Sequence, residues 1–197
     1  VLSGMEVTSS ISKGEGDFLV KLARKAIEYY LTYRKVLPIR PEDIPYDNLR
    51  KLGASFVTLE TKYGDLRGCI GSIIPHRPLH EDVVHNAISA AVSDPRFNPV
   101  SPNELDFIKV KVSVLTYPEK VEYEDWRDLL SKIEPFKDGL IIKYKNFSAT
   151  FLPEVWEKLP SKEEFFAHLC LKAGLPADFW RTGLLEAYKY RTITFSE

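Results

Sequence analysis

An α+β fold, with an antiparallel or mixed sheet, helices packed on it and two closely joined lobes, is what this sequence predicts. Three observations carry the expectation. Two segments repeat apolar residues every three or four positions, one run alternates strictly, and two pairs of β-favouring runs are joined by turn residues. Regular strand-helix alternation and a glycine-rich phosphate turn are both missing, which argues against a Rossmann-type sheet.

Gly16 to Tyr33 is the first predicted helix, because Phe18, Leu19, Leu22, Ala23, Ala26, Ile27 and Tyr30 share one face. Pro38, Pro41 and Pro45, with fixed φ and no amide donor, make Leu37 to Tyr46 an extended connector, expected to join the lobes. Ala54 to Thr61 and Leu66 to Ile74 read as a β-hairpin turning at Tyr63-Gly64-Asp65. Leu79 to Val92 aligns Val83, Val84, Ala87, Ala90 and Ala91 on a helical stripe that Asp94-Pro95 ends. From Ile108 to Leu115, apolar residues alternate with Lys109, Lys111 and Ser113, as in a strand with one wetter face. Glu122 to Ile133 reads as a short helix, and Leu140 to Tyr144 with Phe147 to Phe151 as a second hairpin around Lys145-Asn146. Ser161, three residues before Glu164, caps a helix that Gly174 closes after Ala173, and Tyr188 to Phe195 alternates as one terminal strand.

The chain has 197 residues, 44% hydrophobic and 28% charged, enough apolar surface for a folded core. Residues 5–197 read as one domain, with either a single core or two closely joined lobes, and residues 1–4 as a start extension or a remnant ahead of the only methionine. A net charge of −1 supplies no overall positive field for phosphates, which argues against nucleic acid. No apolar run approaches the roughly 20 residues that cross a bilayer, and no charged-then-apolar leader opens the chain; the expected location is the cytoplasm. Cys69 and Cys170 are too few for a disulfide framework and are expected as reduced thiols. The absence of Gln and abundance of Lys and Glu point to a thermophilic source.

Chemistry is sought first in Leu66-Arg67-Gly68-Cys69-Ile70-Gly71. In an extended strand the period of two sets Arg67, Cys69 and Ile73 on one face, opposite Leu66, Ile70 and Ser72. A guanidinium beside a thiol favours the nucleophilic thiolate, and Gly68 and Gly71 leave backbone amides open to a ligand. The structural alternative is a buried cysteine, a bulge glycine and an arginine paired with a carboxylate. Asp94 and Arg96, two residues apart around a proline, form either a turn-fixing ion pair or a ligand contact. Cys170 falls on a helical stripe with Phe166, Leu169 and Ala173 and is assigned to the core. His76 and His80 are four apart with Pro78 between them, so the spacing of His76, His80, His85 and His168 supports no metal site. Gly68-Cys69-Ile70-Gly71 matches the Gly-x-x-Gly of a KH module only formally, since the segment is apolar and strand-like.

The same six residues resemble the signature of the AMMECR family, named from a chromosomal region linked with Alport syndrome, midface hypoplasia and elliptocytosis. Phe56-Val57-Thr58-Leu59, Ser89-Ala90-Ala91, Asp94-Pro95-Arg96-Phe97, Val112 to Leu115, Phe151 to Trp156 and Leu169 to Leu175 resemble further family blocks in the same order. The resemblance implies a two-lobed α+β protein with a functional surface near Arg67 to Gly71, and it brings no established activity or known cofactor. It also implies association with Memo-like and radical-SAM proteins, whose iron-sulfur chemistry would be the partner's, because no Cys-x3-Cys-x2-Cys cluster occurs here.

Two functional readings follow. One is a small-molecule-binding or modifying enzyme with Cys69 and Arg67 as catalytic candidates and Gly68, Gly71, Asp94 and Arg96 as ligand-binding candidates. The other is a noncatalytic interaction module for a Memo-like or nucleic-acid-associated assembly.

Overall fold

A computed structural model describes residues 6–8 and 10–197, so the start extension expected at residues 1–4 lies outside the described residues. The first unit, running to Tyr117 and including Ile193–Glu197, begins with α1 (Lys13–Tyr33), α2 (Asp47–Arg50), β1 (Leu52–Thr61), β2 (Leu66–Gly71), β3 (Arg77–Pro78), α3 (Leu79–Val92) and β4 (Ile108–Leu115). Pro118–Thr192 forms the second unit, with β5 (Glu119–Lys120), α4 (Trp126–Ser131), β6 (Gly139–Tyr144), β7 (Phe147–Phe151), α5 (Lys162–Ala173) and β8 (Glu186–Tyr190). The chain ends in the first unit with β9 (Thr192–Ser196). The fold is therefore α+β with two antiparallel sheets, ordered β2-β1-β4-β9 with β3 beside β1, and β5-β8-β6-β7.

In the first unit, α1 begins one turn earlier than its apolar pattern does, because Ser12 and Glu15 form a reciprocal capping box. The buried residues of α1 and α3 meet Val57, Leu59, Ile70, Val110 and Val112 in one hydrophobic core. Pairing β1 with β4 puts Val57 opposite Val112 and Leu59 opposite Val110, so these side chains face the helices. Thr58, Glu60, Lys111 and Ser113 take the other, more accessible face. The second unit has its own core, in which Trp156 stacks on Phe165 at 3.7 Å and donates its indole N–H to Asp138 O at 2.7 Å.

Three expectations need correction. The proline-rich connector lies inside the first unit, and the unit boundaries fall at Tyr117/Pro118 and Thr192/Ile193. The Glu122–Ile133 helix shrinks to α4, because Asp125 caps the Asp128 amide and starts the helix only there. The single terminal strand is two strands in two sheets: alternation records which face each side chain takes but not which sheet a strand joins, and the chain changes sheet at Arg191.

Close packing of β2 on α3 depends on Gly68, where an added Cβ would sit 2.2 Å from Ala90 O, a backbone atom inside α3. Gly68→Ala is expected to lower unfolding stability by about 1–3 kcal/mol. Chemical denaturation measures this, and an unchanged midpoint would contradict the packing.

Candidate functional site

β2 is the edge strand of the first sheet, and its pairing with β1 contains one irregularity. Leu66 lies opposite Glu60, but Gly68 lies opposite Leu59, so Arg67 is an extra residue with no partner position on β1: a β-bulge. Continued without the bulge, the register would set Cys69 opposite Val57, a fully buried residue facing the helices. With it, Cys69 lies opposite Thr58 on the accessible face, and Leu66 shares that face although three residues away.

The predicted side-by-side placement of Arg67 and Cys69 therefore does not form. Arg67 turns to the segment after α3, where its Nη2 donates to Glu104 Oε1 at 2.6 Å. The Cys69 sulfur, half-buried, lies 3.2 Å from Thr58 Oγ1. Thr58 stands beside Lys111 in register on β4, and Lys111 Nζ donates to Glu60 Oε1 at 2.6 Å. A thiol, a hydroxyl, an ammonium and a carboxylate thus share one sheet face.

The glycines serve the protein's own packing. Gly68 makes room for the Ala90 carbonyl, and Gly71 for the Phe56 ring, whose Cγ would lie 2.2 Å from an added Cβ. Neither bare face is open to a ligand.

Asp94 and Arg96 close the free edge of β2. The buried Asp94 carboxylate accepts the Cys69 N–H at 2.9 Å, and Arg96 Nη2 donates to the Cys69 carbonyl at 3.4 Å. One pair therefore supplies the acceptor and the donor that a neighbouring strand would supply. Asp94 also accepts Arg96 N, Nε and Nη2 at 3.1, 3.0 and 2.8 Å. The Arg96 guanidinium, then the Cys69 and Arg96 amides, hold this carboxyl far below the ordinary carboxylate range against the opposing effect of burial. Asp94 in turn raises the Arg96 pKa, and the guanidinium lies 5.5 Å from the Phe97 ring centre.

Beside this edge, Arg67, Pro95, Arg96, Phe97 and Asn98 line an open pocket of about 430 Å³. Cys69 is not part of its wall. Among the described residues, Arg67 Nε and Nη1 and Arg96 Nη1 have no hydrogen-bond partner, so two guanidiniums reach one pocket with donors to spare. Among the described residues, no group of three or more His, Cys, Asp and Glu side chains is placed to hold a metal ion. Cys170 is fully buried, and burial pushes its thiol up to about 11.

Sequence reasoning named Arg67, Cys69, Asp94 and Arg96 but missed Thr58, Glu60, Lys111 and Glu104. The alternation of β4 already set Lys111 on its wetter face, but only the pairing with β1 adds Thr58 and Glu60 to that face, and only the bulge adds Cys69. Glu104 had a signal in Ser101-Pro102-Asn103-Glu104, a capping-box spacing around a helical turn.

A family model described as AMMECR1 matches residues 20–195. A protein of Thermofilum pendens is 42% identical over 201 residues, covering 95% of this chain and 92% of its own. Protein MK0488 of Methanopyrus kandleri is 44% identical over 191 residues, covering 93% and 88%. The crystal structure of the uncharacterised protein PH0010 from Pyrococcus horikoshii superposes with a TM-score of 0.85 at 40% identity, covering 95% of this chain and 93% of that one.

A carboxyl depressed in the folded state stabilises fully above its unfolded pKa and loses that contribution as pH falls toward its folded pKa. Asp94 therefore stabilises the fold above about pH 4. Asp94→Asn is expected to cost about 2 kcal/mol at pH 7 and to flatten the acid limb of stability against pH. Equal acid limbs for the two proteins would contradict this.

Proposed function

This chain belongs to the AMMECR1 family, and from that premise we propose that it is a cytoplasmic enzyme that binds and modifies a small anionic molecule at the β2 edge. The observation that supports the reading is the pocket into which Arg67 and Arg96 both reach, with Arg96 bonded to the backbone of the residue that carries the thiol. In this reading Arg67 and Arg96 hold the carboxylate or phosphate of the ligand. Beyond that pocket, the accessible sheet face carries the Cys69 sulfur, the candidate nucleophile of this reading. Thr58 orients that sulfur, and Asp94 positions Arg96 rather than touching the ligand.

Thiol labelling tests this. Iodoacetamide is expected to modify Cys69 in the native protein and Cys170 only after unfolding. A small carboxylate or phosphate that raises the melting temperature should slow Cys69 labelling, and Arg96→Ala should weaken that anion at least about tenfold. An unreactive Cys69, or labelling indifferent to every bound anion, would reject the reading.

A second reading, a noncatalytic module that docks a Memo-like protein, is supported by exposed aromatics at the β1–β2 turn. The Lys62 ammonium lies 5.1 Å from the ring centre of Tyr63 and 5.9 Å from that of Phe107, with exposed Leu66 in the same hairpin. Docking predicts that a purified Memo-like protein binds Cys69→Ser as well as wild type and loses affinity for the double variant Tyr63→Ser, Phe107→Ser. Equal binding to that double variant would contradict it.

A further inference from the structure

A second pocket of about 350 Å³, within the size range of small-molecule sites, lies between α3 and the segment after α1 in the first unit. It shares no lining residue with the Arg67–Arg96 pocket. Pro38, Ile39 and Val84 give it apolar wall, and His80, Glu81 and His85 give it polar wall.

His80 is 1% exposed, and its Nδ1 lies 3.0 Å from Leu49 O. A carbonyl only accepts, so Nδ1 carries the proton, and Nε2 of the neutral ring is left with a lone pair. Among the described residues that buried Nε2 has no partner. Buried acceptors in folded proteins are nearly always satisfied, so the atom calls for a donor from outside the chain. Glu81 adds a carboxylate to the same wall. His85, though exposed, is held below its ordinary value first by desolvation and then by Arg77, against Glu81 and Asp82, a direction that favours the accepting form of its ring. Hydrogen-bond acceptors beside a short apolar wall suit a donor-rich cationic head on a hydrocarbon body.

We propose that this pocket binds a primary ammonium carried on a short aliphatic chain, with His80 Nε2 and Glu81 receiving its N–H donors and Pro38, Ile39 and Val84 packing its methylenes.

The probe is n-pentylamine, with pentanoate and 1-pentanol as controls matched in length. Calorimetry on the full chain is expected to give binding for the amine and at least about tenfold weaker binding for either control. In the ¹⁵N spectrum of histidine-labelled protein, the His80 Nε2 resonance should shift on adding the amine and stay in place on adding pentanoate. Glu81→Gln should weaken the amine about tenfold with an unchanged melting temperature, and Arg67→Ala should leave amine binding intact. No binding of the amine, equal binding of pentanoate or 1-pentanol, or a stationary His80 Nε2 resonance would overturn the proposal.

Discussion

One extra residue in an edge strand governs the site. Because side chains alternate with a period of two, the bulge at Arg67 exchanges the faces of everything after it in β2. Ile70 reaches the helical core, Cys69 faces outward to Thr58, and Gly68 passes against the Ala90 carbonyl, where a side chain has no room. Leu-Arg-Gly-Cys-Ile-Gly is thus a set of requirements for one irregular strand: a residue to bulge, two residues without side chains, one apolar anchor and one thiol turned out.

A bulged edge strand exposes backbone groups, and the structure answers with a side-chain pair. Asp94 and Arg96 follow directly on α3, the helix that Gly68 packs against, so the element that forces the close approach also delivers the groups that complete the edge. Their mutual pairing keeps Asp94 ionised and Arg96 oriented, and it leaves guanidinium donors directed at the pocket Arg67 also lines. In the proposed reading, structural and functional roles are not alternatives. The ion pair that holds the strand is the one that would present charge to a ligand.

Much of this was legible in the sequence, and the remainder has identifiable physical reasons for being hidden. The alternation of Ile108 to Leu115 gave β4 and its faces, and Leu79 to Val92 gave α3 residue for residue, because both depend on local periodicity. The bulge was legible only as an alternative: a strand glycine allowed one, but its position at Arg67 and the packing of Gly68 on Ala90, 22 residues away, depend on contacts that spacing does not carry. The same limit concealed the two-sheet course of residues 186–196 and the identity of the carboxylate, Glu104, that pairs with Arg67. Arg67 and Cys69 were singled out for their chemistry, and their expected adjacency rested on an unbroken period of two that the bulge interrupts.

The register itself is open to direct measurement. Cys69 turns its N–H and C=O away from β1, so Thr58 and Cys69 form a non-hydrogen-bonded antiparallel pair with their α-protons pointing at each other. A nuclear Overhauser spectrum of the folded protein should contain a strong cross-peak between the α-protons of Thr58 and Cys69. A Val57–Cys69 pairing in its place would remove the bulge, turn the sulfur into the core and contradict the account.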